Sequence, residues 1–188
     1  MKLDLFLRCV VAAAALTPGW TQKVETGSLV VQDFEARVKA YVKLQKQEEA
    51  GLPALKPTDS SVRIALHEHK LADRIRRVRY GVPQGNIFTP EIAAEFRRLI
   101  ALAMQGKNAG QVDQSLQHAE PTKHEKHGLR INEAYPVPGV PLQSTPPTLL
   151  LNLPALPPEL DYRVVGHNLV LRDAKANLIV DFVPNAVP

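Results

Sequence analysis

Three histidines, His118, His124 and His127, fall within HAEPTKHEKHG, with Glu120 and Glu125 between them. Imidazole and carboxylate groups at this spacing can hold Zn, Ni or Cu loosely, which makes the segment a candidate for weak transition-metal binding. His124-Glu125-Lys126-His127 is one residue short of the zinc-protease pattern His-Glu-x-x-His, and Pro121 and Gly128 break the long helix that pattern needs. A solvated polar loop is the competing reading of the same residues.

A second candidate is the run RIRRVR, which carries Arg74, Arg76, Arg77 and Arg79 in a chain of net charge +4. Clustered guanidinium groups bind nucleic acid, lipid phosphate or other anionic polymers. An exported chain seldom meets chromosomal DNA, so an anionic envelope surface is the expected ligand and nucleic acid is not. The competing reading is a solvated helix face that pairs with Glu68 and Asp73, and Arg97 and Arg98 extend the patch if their helix packs alongside. His67 and His69 are two apart on a helix and point in different directions.

Asp173 and Asp181 form a third candidate, a pair of carboxylates on neighbouring extended segments. On a small sheet they are expected to cap a turn and to pair across strands with Arg163 or Arg172, each pair contributing about 0.2–1 kcal/mol. The sequence holds no Gly-x-Ser-x-Gly elbow, no phosphate loop and no dinucleotide fingerprint. The single cysteine, Cys9, lies in the leader described below, so a mature chain has neither thiol chemistry nor a disulfide.

Helices must position the arginines. Phe34, Val38, Tyr41 and Val42 recur at helical spacing between Ser28 and Ala50, and Gly51 and Pro53 end that pattern. Thr58, Asp59 and Ser60 are good N-cap residues for a second helix running to Tyr80, with Val62, Ala65, Leu66, Leu71, Ala72, Ile75 and Val78 as its apolar positions. Thr89-Pro90-Glu91 supplies cap, first-turn proline and first-turn acid for a third helix, whose apolar positions are Ile92, Phe96, Leu99, Ile100 and Ala103. Gly106 closes it.

From residue 107 onward, large apolar residues thin out and Gln, His and Pro increase, which reads as a linker or an irregular wrapping segment. Leu129-Arg130-Ile131 suits a short strand, Pro146 to Leu151 one helical turn, and LPALPPEL an extended arm, because residues before proline avoid the helical region.

The last thirty residues contain DYRVVGHNLVLRDAKANLIVDF, which reads as three strands with turns at Gly166-His167 and at Ala174 to Asn177, the asparagine left-handed. Alternation places Tyr162, Val164, Leu169, Leu171, Leu178, Val180 and Phe182 on one face. Arg163, Val165, Val170, Arg172, Ile179, Asp181 and Val183 fall on the other, a mixed face that needs a cover from the helices, the proline-rich arm or a second copy of the chain. A three-stranded sheet is marginal alone, so Arg163, Val165, Val170, Arg172, Ile179 and Asp181 are candidates for facing a partner, a second copy of the chain among them.

The expected fold class is therefore α+β: a unit of three helices over 28–106, a proline- and histidine-containing linker over 107–158, and a three-stranded antiparallel meander over 159–188. Hydrophobic residues make up 45% of the 188, enough to supply a core, while 16 prolines against 10 glycines point to extended connectors. Residues 1–22 place Lys2 and Arg8 before the apolar run Cys9 to Leu16, the order of a secretory signal peptide. Export to the periplasm or the medium follows from that reading.

The sequence LPPELDYRVVGHNLVLRDAKANLIVDF resembles the C-terminal module of small periplasmic proteins of the nickel and cobalt homeostasis family and its relatives. Leu156, Pro157, Pro158, Tyr162, Arg163, Val165, Gly166, Leu169, Leu171, Asp173, Val180 and Asp181 carry the resemblance, and Asn177 stands where the family usually has glycine. The resemblance implies an envelope location and a small sheet. The whole chain, with its LIVDFVPNA ending, also resembles exported bacterial proteins of unassigned activity. The leading functional expectation is a non-enzymatic envelope or secreted module for binding or scaffolding. Periplasmic metal handling through His118 to His127 is the first alternative, and a hydrolase of unrecognised type the second.

Overall fold

A computed structural model describes residues 21–105, 110, 128–136, 145, 147–150 and 152–187. Helices α1 (Thr21–Ala50), α2 (Ser61–Val78) and α3 (Pro90–Gln105) precede a one-turn helix α4 (Pro147–Leu150) and strands β1 (Leu160–Val165), β2 (Asn168–Asp173) and β3 (Leu178–Val183). The strands form an antiparallel sheet in the order β1-β2-β3, so the protein is α+β with its long helices ahead of its sheet. The histidine segment, with His118, His124 and His127, and residues 1–20 of the leader lie outside the described residues.

Each helix begins and packs for local reasons. Phe34, Val38, Tyr41 and Val42 are buried as one stripe of α1, spaced three or four apart, and Gln45 continues the stripe, fully buried. Ser60 caps α2 from an extended conformation, its hydroxyl accepting from the Arg63 amide at 3.5 Å. In α3 the Thr89 carbonyl accepts from the Ala93 amide at 2.8 Å, and Pro90 takes the first position, where its missing N–H costs nothing. Phe34, Phe88 and Phe96 meet with ring centroids 4.8–5.6 Å apart, and Tyr162 of β1 lies 6.0 Å from Phe96. Burying each such ring contributes about 2–3 kcal/mol.

Helix α2 departs from its expected pattern. Leu71, Ala72 and Ile75 are buried, but Val62, Leu66 and Val78 are exposed by 75%, 53% and 51%. Arg74 lies beside Glu48 near the end of α1, and Arg79 lies over Tyr41 further back, so the two helices run antiparallel with their overlap in the second half of α2. The first half of α2 therefore extends past the last turn of α1.

The turns follow the sequence: Gly166 and Asn177 both have positive φ, 56° and 49°. The strand faces need one correction. Leu171 pairs with Asp181 and Arg172 with Ile179, so Val180 is an extra residue, a β-bulge in β3. Past the bulge the alternation inverts. Asp181 and Val183, expected on the outer side, share the helix-facing side with Leu171 and Leu169, and Phe182 turns outward opposite Val170.

One core runs through the helices and the sheet, joining Phe34, Leu71, Ile75 and Phe96 to Leu169, Leu171, Leu178 and Val183. Residues 28–106 and 159–188 thus close on each other. Parts of the expected linker join them: Leu149 and Leu153 enter this core, while the 128–136 segment crosses the opposite face of the sheet. The bridge to β3 is made at Ala134, beyond the Leu129-Arg130-Ile131 strand expected from sequence.

Candidate functional site

The two acids that suggested chemistry sit on the seam between helices and sheet. Asp173 ends β2 fully buried, and its Oδ1 accepts the amides of Lys175 and Ala176 at 2.9 and 2.8 Å, which caps the β2–β3 turn as expected. Its remaining bonds come from α1: the Tyr41 hydroxyl donates to Oδ2 at 2.7 Å and the Gln45 amide to Oδ1 at 2.8 Å. Burial, and then the neighbouring Asp173 charge, hold the Tyr41 hydroxyl well above the ordinary tyrosine range.

Asp181 is equally buried. Its Oδ1 accepts the amide of Gly85 at 2.9 Å, and its Oδ2 accepts those of Ile87 and Phe88 at 2.7 and 2.9 Å, so one carboxylate orders the loop that leads into α3. The Phe182 amide adds a fourth bond to Oδ1 at 2.9 Å. Neither acid pairs with Arg163 or Arg172 in the way the sequence suggested. Both of those arginines instead bond Asp161, at 2.6 Å from Arg163 and 2.9 Å from Arg172.

The arginine run divides by helix geometry. Arg79, only 4% exposed, donates to the Val180 carbonyl at 2.8 Å and to Asn132 Oδ1 at 3.0 Å, and its guanidinium lies 5.0 Å from the centre of the Tyr41 ring. Burial lowers its affinity for its proton, and Tyr41, Asp181 and Asp173 oppose that effect. Arg74 stands 3.0 Å from the Glu48 carboxylate with its Nε–H off the oxygen's line, so the contact is Coulombic rather than a hydrogen bond. Arg76 bonds Asp73 and the Asn132 carbonyl, and Arg77 the Asp73 carbonyl. Arg74, Arg76 and Arg79 bridge elements of the fold, Arg77 bonds within α2, and Arg79 is inaccessible to an external anion.

The outer sheet face is where the expected partner surface lay. Val165, Val170 and Ile179 are buried there together with Tyr135, and Leu129 and Phe182 pack against them. The cover is a strap of the same chain, residues 128–136. It pairs with the edge of β3 through Asn132 N to Ile179 O at 2.8 Å, Ile179 N to Glu133 O at 2.9 Å and Tyr135 N to Asn177 O at 2.7 Å. Arg172 lies 5.2 Å from the centre of the Tyr135 ring. Of the six residues proposed to face a partner, Arg163 keeps the most open side chain, 36% exposed, whereas Asp181 faces the helices.

Among the described residues no three His, Cys, Asp or Glu side chains gather where a metal ion could sit. The residues that the sequence left unremarked are Gln45, Asp161 and Tyr135, and Tyr41 was read only as part of an apolar stripe, without its bond to Asp173. Gln45 carried a signal, being a polar residue in register with an apolar helical stripe. Asp161 carried another, since hairpin register places it opposite Arg172. No family model, curated protein or solved structure matches the chain.

Proposed function

We propose that this chain is an exported, non-enzymatic module for binding or scaffolding in the bacterial envelope or outside it. The observation that carries this reading is the engagement of Asp173, Asp181 and Arg79 in bonds that hold helices, sheet and strap together. Groups so bound are desolvated and committed to the scaffold, which suits a rigid platform more than a proton-transfer site. The signal-like order of residues 1–22 supports export. The half-open Asp161 and Arg163 on the outer face supply a polar rim of the kind that surrounds binding surfaces.

Fusion of alkaline phosphatase to the C-terminus tests export, because that enzyme matures only outside the cytoplasm; an inactive fusion in an otherwise competent strain overturns it. A photo-crosslinker at Arg163 tests the binding role. Reproducible adducts of one size from native envelope support it, and the absence of any adduct across growth conditions counts against it.

A further inference from the structure

The first half of α2 is amphipathic in the wrong direction for a core helix. Val62 and Leu66, one turn apart, are exposed by 75% and 53% although neither has a polar group to solvate. On a helix the surface neighbours of Leu66 are the residues three and four positions away: Val62 and Arg63 before it, His69 and Lys70 after it. Two of these four are permanent cations and none is an acid. Arg63 and Lys70 make no ion pair among the described residues, in contrast to Arg74 and Arg76 further along.

Two of the acids on α2 are already occupied, while Asp59 stands exposed just before its first turn. Glu68 accepts from Asn177 at 3.0 Å on the inward side, and Asp73 is paired with Arg76 at 2.9 Å. The solvent side of this half-helix therefore presents two apolar side chains bordered by two positive charges that make no ion pair among the described residues, against the exposed acid Asp59, beyond the end of α1. Leu55 in the preceding loop is also 40% exposed.

From this we infer that the first half of α2 docks on an anionic lipid surface, with Val62 and Leu66 entering the headgroup boundary and Arg63 and Lys70 on phosphate. An apolar strip flanked by long cationic side chains is the arrangement that lies in a bilayer interface, because the cations reach the headgroups while the aliphatic groups leave water. A second copy of this half-helix is the less favoured occupant, since at the Leu66 patch it brings cations to cations. No described helix is long and apolar enough to cross a membrane, so the contact is peripheral. It goes beyond the role proposed above and does not depend on export, because lipid of this charge faces both sides of bacterial membranes.

The test is sedimentation of the full chain with vesicles of phosphatidylcholine alone or with phosphatidylglycerol, at low and high salt. Partition is expected to rise with the anionic fraction and to fall with salt. Replacing Arg63 and Lys70 together, Arg63→Gln with Lys70→Gln, should weaken it by roughly 25-fold, about fivefold per charge removed near such a surface. Val62→Ser with Leu66→Ser should weaken it further while leaving the circular dichroism melt unchanged, because both side chains are exposed. Absence of partition overturns the inference, and so does partition that survives both double substitutions, which would place the contact elsewhere in the chain. A concentration-dependent dimer that Leu66→Ser abolishes also overturns it, by assigning the surface to a second copy.

Discussion

Replacing Asp181 by asparagine keeps the shape of the side chain and removes its charge at one of the most connected points of the fold. The carboxylate accepts four amides, those of Gly85, Ile87, Phe88 and Phe182, at 2.7–2.9 Å. Asparagine has one acceptor oxygen, so two amides face its NH2 group and lose their partner: the buried pair of Ile87 and Phe88 in one orientation, the partly buried pair of Gly85 and Phe182 in the other. A hydrogen bond to a charged group contributes about 1.5–3 kcal/mol, and each buried donor left unpaired costs about 1–3 kcal/mol. Those two losses overlap, and Asp181→Asn is expected to cost about 3–5 kcal/mol, a large part of the roughly 5–15 kcal/mol typical of a domain. Urea unfolding followed at 222 nm should show a midpoint lowered by at least about 1 M, given slopes of about 1–3 kcal/mol/M. Hydrogen exchange should report faster exchange at Ile87 and Phe88 before any global change. Asp161→Asn is the control: it is partly exposed, bonds only arginine side chains, and should cost under about 1 kcal/mol. A loss below 1 kcal/mol for Asp181→Asn, with exchange at Ile87 and Phe88 unaltered, would refute the idea that this carboxylate orders the loop.

Three further outcomes follow from the same contacts. Asn177→Ala keeps a Cβ at φ 49° but loses the polar side chain that makes this left-handed backbone tolerable, together with the bond to Glu68, so it should lower stability by about 1–2 kcal/mol in a thermal melt, whereas Asn177→Gly should lose less. Tyr135→Ala uncovers Val165, Val170 and Ile179 and should cost about 3 kcal/mol with a gain in binding of an apolar dye; a neutral result would mean the strap does not protect this face. The Tyr41 hydroxyl has a folded-state pKa raised well above its unfolded value near 10, so its contribution is fully present below about pH 10 and is lost as pH rises through the raised value. Tyr41→Phe should flatten the alkaline fall in stability measured by denaturant titration between about pH 9 and 12, and an unchanged slope would show that Tyr41 does not carry it.

Local rules account for much of what was legible. Ser60, Thr89 and Pro90 start helices because their bonds lie within one turn, and Gly166 and Asn177 make turns because their backbones tolerate positive φ. The α1 stripe and the apolar sheet face up to the bulge follow from periods of 3.6 and 2. Val180 was not legible as a bulge, since its type is ordinary for a strand, and missing it put Asp181, Phe182 and Val183 on the wrong faces. Val62, Leu66 and Val78 match a helical period perfectly well, but where α1 ends relative to α2 decides what that period meets.

The sequence by itself determined the α+β order of elements, the caps, the turns and the presence of a sheet with one mixed face, all of them short-range consequences of residue type. Tertiary structure decided the role of every candidate residue within its reach. It committed Asp173 to Tyr41 and Gln45, Asp181 to the loop before α3, Arg79 to the seam, and the mixed face to a strap from residues 128–136. Charge and hydrogen-bonding capacity are properties of a side chain alone, but their use depends on which groups lie within about 3 Å after folding. For Asp173 and Tyr41 those groups come from positions 132 apart in the chain.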